Sequence, residues 1–493
     1  MKKFFGKIKN GMKKLFELIT NKWLLKGTTT VVLVALVIAG YVGINMLAKN
    51  LEIDDLDFTT KKLYSLTEAT KSKLKSLEDE ITIQLINMKE YTQATDYIQK
   101  YENATDKITI EKIEDITTRV DLQTKYEITG TDMLVVVKNG ETEKVLTVDD
   151  LYTYDYSTYE TIDTVEEAVT NAIMEVTIEE KPHIYVLTGK TYYAPEQILS
   201  AVLYQLESEA NELDQLDILS KGNVPEDCDC LVITTLKQDL SELERDKILE
   251  YINKGGKILM LSSQNILEVD TPNLDQVLAQ YGISLGYGAI FEQDTSKMLS
   301  GSPELIITDA VASYMSDIDM SLQMCLVDAG KIEFADKTKL EELGVTYETI
   351  ATTSEKAFVR TNFETNTTSR TDKDSEEGSS IVAARVDKKI SDETTSELII
   401  FSSELMASNM QVLIGGQYYI YAIQLYNNED VILNSISHLT ERTDTITIRK
   451  TDEVQYYTVS DQEDVMIKTI IFVVPVLIIG AGVVVWAVRR RSI

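Results

Sequence analysis

The sequence predicts an α/β fold anchored in a membrane at both ends. Three observations predict it: two long apolar runs near the termini, strands alternating with helices through short connections, and a net charge that reverses along the chain. The expected arrangement is a two-helix membrane anchor, a small α/β unit, and a larger doubly wound α/β domain carrying a β-rich insertion.

The apolar runs set the topology. Residues 31–47 form one, preceded by eight lysines, and residues 466–488 form the other, closed by Arg489-Arg490-Arg491. A span needs about 20 helical residues at about 1.5 Å each. The second run meets this outright, and the first does so when 27–30 and 48 are included, so transmembrane helices are expected over 27–48 and 465–488. Lys/Arg-rich flanks mark the cytoplasmic side. Both termini, including the basic tail 489–493, are therefore expected in the cytoplasm, with residues about 50–464 outside. A cleaved signal peptide fits less well, because the basic leader is long and Met46 interrupts a small-x-small cleavage site.

Residues 1–26 read as an amphipathic basic helix. Phe4, Ile8, Met12, Leu15, Phe16, Ile19 and Trp23 recur at spacings of three and four, with most lysines opposite. Such a helix lies in the membrane interface. Phe4, Ile8, Phe16 and Trp23 are the expected contacts to lipid or to a cytoplasmic partner.

Charge excludes one class of function. The formal net charge is −32, residues 1–50 carry +8 and residues 465–493 carry +4, which leaves −44 for residues 51–464. A field of that sign repels nucleic acid, so no nucleic-acid partner is expected. Cys228, Cys230 and Cys325 offer no disulfide framework, and the region outside the membrane has to rely on its own core.

The first unit, 51–150, opens on Ser65-Leu66-Thr67-Glu68, a helix-capping signature. Strands are expected at 81–87, 108–113 and 132–138, with helices at 91–101 and 119–126. Asn139-Gly140 then turns into a strand at 143–147. This order matches a thioredoxin-like layout without Cys-x-x-Cys, since the unit contains no cysteine, and that rules out thiol chemistry there.

The second domain is expected over 160–450. A helix at 166–178 leads to a strand at 183–188 and a helix at 195–209. Strands follow at 216–219 and 230–234. Ser241-Glu242-Leu243-Glu244 opens a helix that ends on Gly255-Gly256, before a strand at 257–261. Short connections of this kind argue for a parallel sheet. The pattern weakens into strands and loops over about 290–380, and 365–380 reads as a polar, flexible loop. Strands at 381–386 and 397–402, a helix at 429–440 and a strand at 445–449 complete the domain.

No catalytic constellation emerges. His183 and His438 have no second metal-ligand candidate beside them in sequence, so no metal site is expected. No Gly-x-x-x-x-Gly-Lys-Ser/Thr loop is present. Ser402-Ser403-Glu404 ends a strand but lacks a Gly-x-Ser-x-Gly elbow and a histidine partner. Asp372-x-Asp374-x-Glu376-Glu377-Gly378 has one residue too many before its glycine for a calcium loop and reads as a surface acidic loop. Gly189-Lys190 follows the first strand of the domain, where α/β sheets place ligands, and is the candidate ligand-binding position. No cofactor is expected.

Several strings resemble one bacterial family. They are Leu56-Asp57-Phe58-Thr59 through Lys62-Leu63-Tyr64-Ser65-Leu66-Thr67, Ala168 to Ile173, Lys181 to Gly189, Val224-Pro225-Glu226-Asp227, the stretch 239–259, and Asn434-Ser435-Ile436. The family is that of the auxiliary, so-called substrate-binding components of gliding-motility-type ABC transport systems. The resemblance implies an accessory membrane protein beside an ABC-2-type permease and a cytoplasmic ATPase. It also implies a degenerate glutamine-amidotransferase-like α/β domain and assigns no catalytic residue. Where relatives continue the Leu-Thr-Gly string with His-Gly-Glu, this chain has Lys190-Thr191-Tyr192. The expectation is a non-catalytic accessory subunit in a bacterial cell membrane, its acidic outer domain gating, extending or selecting. The alternative is an extracytoplasmic ligand-binding receptor or sensor.

Overall fold

The computed structural model of the chain describes residues 65–129, 132–155, 160–178, 180–315, 322–364, 367–416 and 418–442. The expected anchors at 27–48 and 465–488, the helix at 1–26 with Phe4, Ile8, Phe16 and Trp23, and the strand at 445–449 lie outside the described residues. Among the described residues, no helix is long and apolar enough to cross a membrane. The chain divides into two compact units, Met1–Asp132 and Met133–Ile493.

In the first unit, helix α1 (Glu68–Ser76) starts where the Thr67 hydroxyl accepts from the Thr70 amide at 3.3 Å. Strands β1 (Ile81–Ile86) and β2 (Ile108–Ile113) pair in parallel from Ile81↔Ile108 to Ile86↔Ile113. Parallel neighbours need a long crossover, which α2 (Thr92–Ala104) supplies, burying Ala94, Ile98 and Tyr101 at helical spacing. Helix α3 (Val120–Tyr126) follows and ends on Glu127 at φ +53°.

The second unit opens with the hairpin β3 (Leu134–Asn139) and β4 (Thr142–Thr147). Gly140 takes φ +57° in its two-residue turn, a conformation glycine adopts without strain. A second hairpin, β5 (Tyr152–Asp155) with β6 (Glu160–Asp163), precedes α4 (Val165–Thr177), which packs on β3 and β4.

The following strands are β7 (His183–Leu187), β8 (Glu212–Leu216), β9 (Cys230–Thr234), β10 (Lys257–Leu261), β11 (Ile283–Leu285), β12 (Ala289–Phe291), β13 (Leu305–Ala310) and β14 (Leu322–Val327). Then come β15 (Ile332–Phe334), β16 (Val345–Thr352), β17 (Phe358–Arg360), β18 (Ile381–Lys389), β19 (Thr395–Phe401), β20 (Gln411–Ile414) and β21 (Tyr418–Tyr421). Nine of them form one sheet in the order β11-β15-β18-β19-β10-β9-β7-β8, with β16 also beside β18. The longer helices are α5 (Ser200–Ser208), α6 (Glu242–Asn253), α7 (Pro272–Leu278), α8 (Lys337–Leu343) and α9 (Asn428–Leu439).

Both faces of the sheet are buried. Val186, Val232, Leu259, Ile399 and Phe401 pack against Val202 and Leu206 of α5 and Ile432 and Ile436 of α9. Leu187, Ile233, Met260 and Ile400 pack against Ile248 and Ile252 of α6 and Leu274 and Val277 of α7. Burying each such side chain is worth about 1.5–3 kcal/mol. This is the layering of a doubly wound domain.

Five departures from the sequence reading have physical causes. The sheet is mixed: β8, β7, β9, β10 and β19 run parallel, but β18 runs antiparallel to β19, because only residues 390–394 join them and so short a link makes a hairpin. The strand expected at 216–219 is instead β8 at Glu212–Leu216. It is an edge strand whose exposed carboxylates hide its pattern, and Asp217 ends it by accepting from the amides of Leu219 and Ser220. The helix expected at 195–209 breaks at Leu199 into Pro195–Ile198 and α5. Helix α8 lies in a stretch expected to hold strands and loops, capped by Asp336 and closed by Gly344 at φ +65°.

The polar stretch 365–380 is the fifth. Its described part wraps a fully buried Arg360, which lies over Phe291 at 4.3 Å and donates to Asp374 at 3.3 Å and to the carbonyls of Thr367 and Ser369. Asp374, expected on the surface, is itself buried.

Candidate functional site

Register brings four strand ends to one level. Leu261 of β10 pairs with both Thr234 of β9 and Phe401 of β19, and Val186 of β7 pairs with Val232 of β9. Thr188, Thr235, Ser262 and Ser402 therefore leave the sheet together at its carboxyl edge, where α/β sheets bind ligands.

Side chains stitch these ends. The Thr235 amide donates to Glu404 Oε2 at 3.3 Å, and the next amide, Leu236, donates to Gln264 Oε1 at 3.0 Å. Ser263 donates from its amide to Thr235 Oγ1 at 2.9 Å and accepts from the Glu404 amide at 3.1 Å. The Tyr192 amide reaches the Thr235 carbonyl at 2.7 Å, which ties in the loop after β7.

Five buried polar atoms at this edge make no hydrogen bond: Thr234 Oγ1, Gln264 Nε2, Asn265 Oδ1, Ser402 Oγ and Glu404 Oε1. Each such group costs about 1–3 kcal/mol. Groups of this kind are ordinarily met by buried water, an ion or a ligand group. Glu404 is fully buried, and burial pushes its carboxyl up to about 7 against the lowering effect of its bond from Thr235. Tyr193, in the loop after β7, is exposed. Its hydroxyl is raised by burial first, then by the charges of Tyr192, Glu404 and Asp328.

The candidate Gly189-Lys190 lies on this edge. Gly189 takes φ +88°. The Lys190 ammonium sits 2.9 Å from Glu244 Oε2 and donates to the Asp239 carbonyl at 2.9 Å. Glu244 is buried and also closes the capping box at Ser241, so Lys190 binds the start of α6. Sequence reasoning reached this edge through the glycine but missed Glu404 and Gln264. Only Glu404 carried a signal, as the last residue of the Ser402-Ser403-Glu404 strand end.

The remaining candidates lie elsewhere. Ser403 is buried, donates to the Val327 carbonyl at 2.5 Å and accepts from the Val327 and Met406 amides, with no histidine among its partners. His183, at the amino end of β7, is held between Asp214 at 3.0 Å and Asp227 at 3.1 Å, carboxylates far away in sequence. His438 lies 2.7 Å from Glu397 and stacks on Tyr314. Burial alone would raise the Glu397 carboxyl, but the bonds and charges of His438 and Arg385 hold it low. The three cysteines are buried and unpaired, and burial pushes the Cys228 and Cys325 thiols up to about 12. Among the described residues no group of three or more His, Cys, Asp or Glu is placed to hold a metal ion. A cavity of about 550 Å³ opens at the opposite, amino-terminal edge of the sheet, between Tyr251, Gly255, Gly256 and Glu441. Its lysines and carboxylates are largely paired with one another.

Comparison with known proteins places the family likeness over this same region. Residues 181–299, about a quarter of the chain, match the family described as ABC-type uncharacterized transport system, ABC_transp_aux. The match spans β7 to β12 and takes in three of the four strand ends of the site. It supports an auxiliary component of an ABC-type transport system. No curated protein matches the chain. Among solved structures, the chain is similar to the mmIFT52 N-terminal domain, with 13% identity and a TM-score of 0.37 over 52% of this chain and 97% of that one. It is also similar to a protein from Bacteroides uniformis described as thua-like, with 10% identity and a TM-score of 0.33 over 53% of this chain and 94% of that one.

Proposed function

We propose that the protein is a non-catalytic accessory membrane subunit of an ABC-2-type transporter. Helices 27–48 and 465–488 anchor it beside the permease. Its acidic region, a thioredoxin-like module without thiol chemistry followed by a degenerate glutamine-amidotransferase-like domain, gates, extends or selects on the outer face. The match of residues 181–299 to an ABC-type transport family carries this reading. The strand-end serine fits a non-catalytic role: the Ser403 hydroxyl is spent on the Val327 carbonyl, and both histidines are engaged by carboxylates. The basic segment 1–26 then touches lipid or the cytoplasmic ATPase.

Co-purification tests the proposal. The tagged full chain, extracted from its native membrane in a mild detergent, is expected to bring down a Walker-motif ATPase and a polytopic permease in fixed ratio. Recovery of the chain without either overturns it.

A further inference from the structure

The hairpin of β20 and β21 is apolar on both of its faces. Val412, Ile414 and Ile420 turn inward and pack with Cys325, Val327, Leu405 and Leu425. Leu413 pairs across the strands with Tyr419, and Gln411 with Tyr421, and these four point outward. Leu413, Tyr419 and Tyr421 are 45%, 58% and 43% exposed. They adjoin one another, since opposed side chains sit about 5 Å apart and alternate residues share a face. An antiparallel pair with one face in the core ordinarily carries polar residues on the other. Among the described residues neither strand is joined by a third, and residues 405–428 hold no lysine or proline to protect a free edge.

Composition reinforces the geometry. Residues 405–428 are 24 in a row without a charged side chain, the longest such run within 51–464. At the chain's average of 26% charged, a stretch of that length would hold about six. Depletion of charge with enrichment of tyrosine is the make-up of an interface centre. The hairpin is also held in shape. The Gly415 amide at its tip donates to Ser300 Oγ at 3.1 Å, and at its base Asn428 donates to the carbonyls of Met406, Ala422 and Cys325.

We propose that this face of the hairpin docks the permease subunit, through a permease surface with a neutral apolar centre ringed by lysine and arginine. The proposal rests on the transporter reading above. Charge selects the occupant. Residues 51–464 carry −44, and Leu305 and Val327, which pack beneath the hairpin, are next in the chain to Glu304 and Asp328. A second copy brings the same field and is repelled, and so are anionic headgroups. A protein with a basic rim is drawn in, and its centre then packs on Leu413, Tyr419 and Tyr421 without stripping water from a charge.

The photo-reactive residue benzoylphenylalanine is placed at Tyr419 of the tagged full chain, which is irradiated in its native membrane and purified. Mass spectrometry of the adduct is expected to return peptides of the same polytopic permease that co-purifies without irradiation. The probe at Leu243, 47% exposed on α6 against the other face of the sheet, should give no such adduct. Tyr419→Glu puts a charge at the centre of the face and should cut the permease recovered about tenfold, whereas Tyr419→Phe should leave it unchanged. Melting curves of both variants, expected to overlay wild type, separate lost docking from lost folding. The proposal is overturned if the Tyr419 adduct is a second copy or lipid, if none forms while the permease still co-purifies, or if a folded Tyr419→Glu retains the permease in full. Those results leave the transporter reading intact, whereas absence of the permease from purified wild type overturns both.

Discussion

At the scale of single residues, two buried charged groups dominate. Glu404 has its carboxyl raised to about 7, against about 4.3 for a free glutamate. The folded state thus holds a proton that the unfolded state releases earlier. This contribution to stability is complete below about pH 4.3 and is lost as pH rises through about 7. Glu404→Gln removes the titration. The variant is expected to be more stable than wild type at pH 8.5, by on the order of 3 kcal/mol, with the gap closing toward pH 5. Thermal unfolding of both proteins across that range checks it, and parallel curves would show that Glu404 does not titrate there. Arg360 is the second group. Its guanidinium lies over Phe291 and Phe358 and pairs with Asp374 in the interior. Burial works against the Asp374 carboxylate, but bonds from Thr371 and Arg360 keep it ionised. Arg360→Ala strands that carboxylate and should cost about 3–5 kcal/mol. Arg360→Lys should restore little, because an ammonium does not reproduce the planar stacking or the forked donation to Thr367 and Ser369. Melting temperatures of the two variants should therefore lie close together and well below wild type.

At the scale of elements, the start of α6 links local capping to the candidate site. Ser241 and Glu244 cap each other reciprocally, and Lys190, from the loop after β7, completes the cluster. Ser241→Ala removes one cap bond and should cost about 1 kcal/mol. Lys190→Ala leaves the buried Glu244 without its ammonium and should cost more, about 3 kcal/mol. Denaturation of the two variants side by side measures the order. If Lys190→Ala proved the milder, Lys190 would be free for a ligand, as its place at the strand end suggested. The capping box was legible because it is written in four consecutive residues. The ion pair was not, because Lys190 and Glu244 meet only once β7 and β9 are neighbours.

At the scale of the whole molecule, charge sets the behaviour in solution. Residues 51–464 carry −44, so self-repulsion weakens the folded state and salt should relieve it. Raising ionic strength from about 0.01 M to about 0.15 M shortens the screening length from about 30 to 8 Å. The unfolding temperature should rise by a few degrees over that interval; a fall would show that attractive ion pairs outweigh the repulsion.

Much of the α/β framework is local and therefore readable in the chain. The strands β7, β9 and β10 are short apolar runs bounded by turn signals, and α6 and α9 carry apolar faces at helical spacing. The lack of any cysteine in residues 51–150 and of a phosphate loop is read directly from the sequence. The carboxyl-edge site is another kind of object. Thr235, Gln264 and Glu404 are separated by tens to well over a hundred residues, and each alone is an ordinary polar residue. Strand order and register make them neighbours, because a parallel sheet aligns the ends of distant segments. The same holds for Arg360 with Asp374 and for the antiparallel β18. Residue order could set periodicity, caps and turns, since those depend on neighbours along the chain; a site assembled across four strands depends on neighbours in space.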